Sequence, residues 1–194
     1  MNIQGPIFTY AEFYGWMQSL VAAGKTSGNN QTEVLADFTA LNKRRMKRLN
    51  RTLSLEPDLL LKLESIEKPQ NWLVITEAWC GDSAQCLPVI GKMASYSEKI
   101  ELSIVLRDEN PQLMEVYHTN GSKSIPKLIS FDENEKELFL WGPRPEPAQE
   151  ILSNWKKEPQ GRNWEEFEKE LHTWYAKDKT KTLQREFLQL FNEL

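Results

Sequence analysis

Cysteine and histidine are scarce in this chain, with two of each in 194 residues. So few cysteines exclude a disulfide scaffold. In a reducing compartment a cysteine pair is expected to be catalytic or incidental rather than structural. The two histidines, His118 and His172, have no ligand neighbour at a useful spacing. Cys80 and Cys86, six positions apart, do not make a zinc site, so no metal is expected. Both histidines read as ordinary surface or satisfied residues. No apolar run approaches the ~20 residues of a membrane span. The opening MNIQGPIFTYAEFYGWM lacks a basic start followed by an apolar block, so no signal peptide is expected and the cytoplasm is the default. A net charge of −4 argues against nucleic acid as the main partner. There is no internal repeat and no low-complexity segment.

Large side chains are what the chain does have. Seven Trp and eight Phe, in a composition 40% hydrophobic and 27% charged, can fill a core for one ordinary domain with extensions, or for two small ones. Residues 1–68 read as a helical N-terminal extension. Phe13, Trp16, Met17 and Leu20 share a face that stops at Gly24, GKTSGNN is a loop, and two further helical patterns follow, the last opening with Pro57. Residues 69–158 switch period. NWLVITEA is a buried strand, SAQCLPVIGKMASYS a helix and IELSIVLRD a strand. NPQLMEVYHTN is a short helix closed by Asn120-Gly121, and PKLISFD and KELFLWG form a hairpin. The prolines of GPRPEPAQEIL then set a turn before a helix through Trp155. Residues 159–194 are strongly helical from an N-cap at Asn163. Trp155, at the end of the preceding helix, and Trp164, Phe167, Leu171 and Trp174, with Leu183, Phe187, Leu190 and Phe191, are expected to pack on the domain or on a second subunit.

Trp79-Cys80-Gly81 stands where a strand gives way to a helix, and Pro88 falls inside that helix. Arg107 to Pro111 (RDENP) follows the next strand, Ile125-Pro126 precedes the strand KLISF, and Gly142 follows the last strand. In this order the landmarks resemble thioredoxin: its Trp-Cys-Gly-Pro-Cys site, its kinked helix, its Asp-x-Asn-Pro element, its cis-proline and its final glycine. The whole chain resembles a bacterial subgroup with a helical N-terminal extension and a WCGD site. The resemblance implies an α/β thioredoxin-like fold, a central mixed sheet flanked by helices, with helical extensions at both ends. It also implies a substrate groove formed by Trp79, Gly81, Ile125 and Pro126. The departures are specific. Ser83 replaces the second, resolving cysteine, Asp82 replaces the intervening proline, and Val74 sits where thioredoxins bury an aspartate.

The residues themselves bound the chemistry. A helix N-terminus stabilises a thiolate at Cys80, whereas the carboxylate of Asp82 opposes it. Ser83 cannot form a disulfide, but its hydroxyl can donate to the Cys80 thiolate. Cys86 lies about 9 Å along the helix from Cys80, beyond the roughly 7 Å Cα separation that a disulfide tolerates, and reads as core packing. The run KRRMKRLNR is ordinarily a solvated helix face, with Arg44, Arg45 and Arg48 as candidates to lean over the site and contact an anion.

Three functions follow as expectations. The first is a thiol–disulfide oxidoreductase acting through Cys80 alone on a protein or small-molecule disulfide. Glutathione or another small thiol completes its turnover, with no bound cofactor. The second is a non-catalytic module that binds a partner through the same groove. The third is a thiol peroxidase using a Cys80–Cys86 disulfide, which the absence of a threonine-proline peroxide motif disfavours. The sequence does not decide the oligomeric state.

Overall fold

Helices, a four-stranded sheet and further helices follow one another along residues 3–194, the part of the chain that this computed structural model describes. The N-terminal helices are α1 (Tyr10–Ala22), α2 (Glu33–Thr52) and α3 (Pro57–Glu64). Each begins where local chemistry satisfies or removes free N–H groups. Thr9 and Glu12 form a reciprocal capping box at α1, Thr32 caps α2, and Pro57 occupies the first turn of α3. Their apolar faces, with Phe13, Met17, Met46, Leu59 and Leu63, close over the middle of the chain.

The sheet is built from β1 (Gln70–Thr76), β2 (Ile100–Leu106), β3 (Lys127–Asp132) and β4 (Glu137–Trp141), in the order β2-β1-β3-β4. β1 pairs parallel with β2 and antiparallel with β3, and β3 pairs antiparallel with β4. Helix α4 (Gly81–Tyr96) makes the crossover from β1 to β2, and α5 (Pro111–Val116) leads from β2 toward β3. β1 is buried on both faces. Trp72 and Val74 face the large cluster under α4 and the terminal helices, while Leu73 and Ile75 face a smaller one with Leu113 and Met114 of α5. The free edge of β2 is covered by the N-terminal segment, whose Phe8 exchanges two backbone hydrogen bonds with Ile104 (2.9 and 2.7 Å).

Three helices complete the chain: α6 (Glu146–Lys157), α7 (Trp164–Asp178) and α8 (Lys181–Asn192). The stretch after Asn163 is therefore two helices. Lys179 and Thr180 both take left-handed backbone conformations, and the Asp178 carboxylate accepts the N–H of Thr182 at the new start. α5 is likewise shorter than its pattern, because Asn120-Gly121 does not cap it. Those residues belong to a separate turn bridged by Thr119 and Ser122. The C-terminal aromatics pack on this chain's own domain. Phe187 and Phe191 stand against Trp72, Phe139 and Trp141 with ring centroids 5.5–6.1 Å apart. Among the described residues no helix is long and apolar enough to cross a membrane.

Candidate active site

Cys80 is the N-cap of α4. Its Sγ accepts the backbone N–H of Ser83 at 3.5 Å, and on its other side the thiol donates to the carbonyl oxygen of Ile125 at 3.3 Å. The Ile125–Pro126 bond is cis. Gly142, at φ +106°, is required to complete this corner, because a Cβ there would stand 2.3 Å from the Pro126 carbonyl oxygen. Trp79, Gly81 and Ile125 line the cleft that opens above Cys80, and Pro126 is buried behind it. Of the four expected groove residues, Trp79, Gly81 and Ile125 line the cleft and Pro126 does not.

The helix N-terminus does not win the contest over the thiol. Burial, then the charge of Asp82, push Cys80 up to about 11, against the lowering effect of the Ser83 side chain and backbone N–H. The resting group is a neutral thiol, only 7% exposed. The Ser83 hydroxyl also accepts a hydrogen bond from the Thr76 hydroxyl at 2.6 Å, which holds it beside the sulfur. Cys86 is fully buried among core residues, and its sulfur lies 3.9 Å from the Tyr175 hydroxyl. Helix α4 is regular from Gly81 onward, so a Cys80–Cys86 disulfide would require its first turns to unwind.

Asp82 is the centre of a buried network. Arg144, from the turn after β4, grips its Oδ2 with two nitrogens at 3.0 and 2.5 Å, and the Tyr175 hydroxyl of α7 donates to its Oδ1 at 2.7 Å. Gln149 accepts from the same guanidinium at 2.9 Å. One turn away along α7, the Nδ1 of His172 meets the Gln85 amide nitrogen of α4 at 3.3 Å. Burial foremost, then the charge of Arg45, lower His172 to about 4, so its imidazole is neutral near pH 7. Helix α7 is thereby tied to α4 at two successive turns.

The cleft above Cys80 has a volume of about 560 Å³. Leu35 and Phe38 of α2 form one wall. Trp164, Leu171 and His172 of α7 form the other, and the 122–125 loop closes an end. Its charged lining is Arg107, Lys123, Arg144 and Lys156 against Asp82 and Glu168. Arg107 lies over the Trp79 ring, 4.7 Å from its centroid. Its loop is held by Glu77, a fully buried carboxylate that accepts the Asp108 N–H at 2.9 Å and the Ser27 hydroxyl. The arginines of α2 contribute differently from expectation. Arg45 donates to Asn42 at 2.9 Å and passes beside Gly81, where an added Cβ would lie 3.4 Å from its guanidinium. Arg44 and Arg48 are exposed and do not line the cleft.

A protein-family profile described as Thioredoxin matches residues 28–156. The chain belongs to the thioredoxin family. Among solved structures it is similar to a protein of unknown function from Pseudomonas aeruginosa, PA1234, with a TM-score of 0.59 and 19% identity over 96% of this chain and 98% of that one. It is also similar to an HIV epitope-scaffold, with a TM-score of 0.56 and 19% identity over 96% and 99% of the two chains. At this identity the likeness is one of fold.

Within this thioredoxin-family site, several residues were not singled out from the sequence as site residues: Arg107, Lys123, Arg144, Lys156 and Glu168 of the cleft lining, and Tyr175, buried against Asp82. His172 was read as ordinary, and Trp164 as core, yet Trp164 is 53% exposed on the cleft rim. Arg107 alone carried a signal, since it opens the RDENP element. The others reach the cleft or Asp82 from positions distant in sequence.

Proposed function

We propose that this thioredoxin-family protein performs thiol–disulfide exchange through one thiol, Cys80, in the reducing cytoplasm, and that an external thiol completes turnover. The observation that carries the reading is the position of the Cys80 sulfur. It sits at the start of α4, 3.3 Å from the Ile125 carbonyl and at the floor of a cleft, with Ser83 in place of a second thiol. In the first step the Cys80 thiol loses its proton and Sγ attacks a disulfide R–S–S–R. A Cys80–S–S–R bond forms, the R–S–S–R bond breaks, and the departing thiolate takes up a proton as RSH. In the second step an external thiolate attacks the R-side sulfur. It leaves as a new disulfide, and Cys80 recovers its proton. Asp82 and Arg144 set the charge beside the sulfur, and Ser83 holds a hydroxyl against it. A thiol as weakly acidic as Cys80 is a slow leaving group, so the mixed disulfide persists between the two steps.

Incubation with glutathione disulfide followed by mass spectrometry tests this. The expected product carries one glutathione on Cys80 and none on Cys86, is cleared by added thiol, and does not form on Cys80→Ser. The wild type should also accelerate thiol–disulfide exchange over that variant. A protein that takes up no adduct and accelerates nothing is not an exchange enzyme. A non-catalytic binding groove is the second reading, favoured by the neutral, nearly buried state of the thiol. It predicts partner binding that survives Cys80→Ser.

A further inference from the structure

We propose that the cleft selects small disulfides of net negative charge and turns away protein disulfides. The inference rests on the single-thiol reading and names the substrate class of that site. Size argues first. A cleft of about 560 Å³ is of the volume that takes a small molecule. Cys80 lies at its floor, between the Leu35–Phe38 wall of α2 and the Trp164–His172 wall of α7. A disulfide carried on a folded protein must bring its backbone past both helices to reach that sulfur, whereas a short linear disulfide can enter end-on.

Charge argues second, and independently. The chain as a whole has a net charge of −4, yet the cleft is lined by four cations and two carboxylates. One of those carboxylates, Asp82, is already held by Arg144 and Tyr175. That leaves Lys123 and Lys156 in the lining, with Arg107 partly offset by its pair with Asp108 and Glu168 as the opposing charge. Arg107 directs Nε and Nη2 at Asp108, so its Nη1 is not used in that pair. Lys123 has only a loose, exposed contact with Glu115 at 3.9 Å, and Lys156 makes no ion pair among the described residues. His172, neutral near pH 7, adds no competing charge. Cations converging on a partly desolvated cleft concentrate anions there, and the effect weakens with salt. Arg107, Lys123 and Lys156 line the same cleft as Cys80, so ligand carboxylates that pair with them are held in the space that leads to the sulfur.

The experiment measures second-order rates of Cys80 adduct formation with three small disulfides: glutathione disulfide (anionic), cystamine (cationic) and bis(2-hydroxyethyl) disulfide (neutral). Insulin serves as the protein disulfide. At low ionic strength the anionic reagent should react about tenfold or more faster than the cationic one, and the ratio should shrink toward unity in high salt. A Lys123→Glu/Lys156→Glu double variant should lower that ratio by about fivefold or more. The ratio is the readout because a general change in fold or thiol reactivity affects both reagents alike. Insulin should react far more slowly than any small disulfide. Equal rates for glutathione disulfide and cystamine overturn the charge selection, and insulin reacting as fast as the neutral reagent overturns the size selection. If even the neutral reagent forms no Cys80 adduct, the single-thiol reading itself fails and this inference with it.

Discussion

The floor of the cleft is built from the β1–α4 junction and the Ile125–Pro126 corner, both inside the family-matched span of residues 28–156, whereas one wall is α7, which lies outside it. The floor places a sulfur at a helix start, an arrangement that by itself favours a thiolate. The floor itself also opposes that preference, because Cys80 is buried among Leu73, Ile75, Val105 and Ile125, and Asp82 stands two positions on in the same helix. The cover adds the Tyr175 hydroxyl of α7 as a second hold on that carboxylate, beside the grip of Arg144. One region supplies a nucleophile and restrains it, and the other fixes the restraining carboxylate and narrows what reaches the sulfur.

The comparison breaks most severely if the cover is loosened at its base. Helix α8 follows α7 directly and presses Phe187 and Phe191 onto the sheet, and its buried Gln184 accepts the Glu56 N–H at 2.8 Å. Phe187 is fully buried, so Phe187→Ala should cost about 3–5 kcal/mol of global stability. Denaturant unfolding followed by Trp fluorescence measures it. A loss below about 1 kcal/mol would instead make α8 a loosely attached element that the core does not need.

The junction between floor and cover is tested by Asp82→Asn, which leaves Arg144 without its anion in a buried site. The expected stability loss is about 3 kcal/mol, since removing one partner of a buried pair strands the other. The same change removes a repulsive charge and frees a guanidinium next to Cys80, so the thiol becomes more acidic. A fall of about one pKa unit gives roughly ten times more thiolate at pH 8. In the wild type, alkylation of Cys80 should rise with pH toward a midpoint of about 11, and in the variant the midpoint should move down. The sign for stability follows. The folded thiol titrates at about 11 instead of the ordinary 9, so its contribution is fully present below pH 9 and is lost as pH rises from 9 through about 11. Alkylation profiles that coincide for the two proteins would remove Asp82 from any role in restraining the thiol.

Most of the floor was legible in the chain. Trp79-Cys80-Gly81 marks the strand-to-helix switch, Ile125-Pro126 precedes a strand, and the burial of Trp72, Leu73, Val74 and Ile75 on both faces of β1 follows from an apolar run between turn signals. These features are local, or appear in a fixed order. The network around Asp82 was not legible, because its members are separated by 62 and 93 positions, Arg144 arriving from the turn after β4 and Tyr175 from α7. Trp164 misled for a related reason. Its spacing with Phe167 and Leu171 places it on an apolar helical face, and Phe167 and Leu171 are indeed buried, but α7 begins at Trp164 and its ring overhangs the cleft edge. The protonation of Cys80 depends on how much of the helix end is covered, and a motif does not record that.

The smallest expected effect concerns the basic run on α2, where a sequence pattern and a spatial site part company. Arg45 reaches Gly81 because the same face of α2 carries Asn42, whose amide donates to the Ala78 carbonyl at 3.0 Å and pins that helix to the β1–α4 junction. Arg44 lies about 100° around the helix from Arg45, and Arg48 nearly one turn further on, both in solvent. Arg44→Ala and Arg48→Ala should therefore stay within about 0.5 kcal/mol of the parent in stability. The rate of Cys80 modification by glutathione disulfide should change by less than about twofold at physiological salt, where the screening length is about 8 Å. A larger fall in rate with either variant would move the anion-binding surface from the Arg107–Lys123–Lys156 rim to the outer face of α2. The sequence pattern would then outrank the contact geometry as a guide to the site.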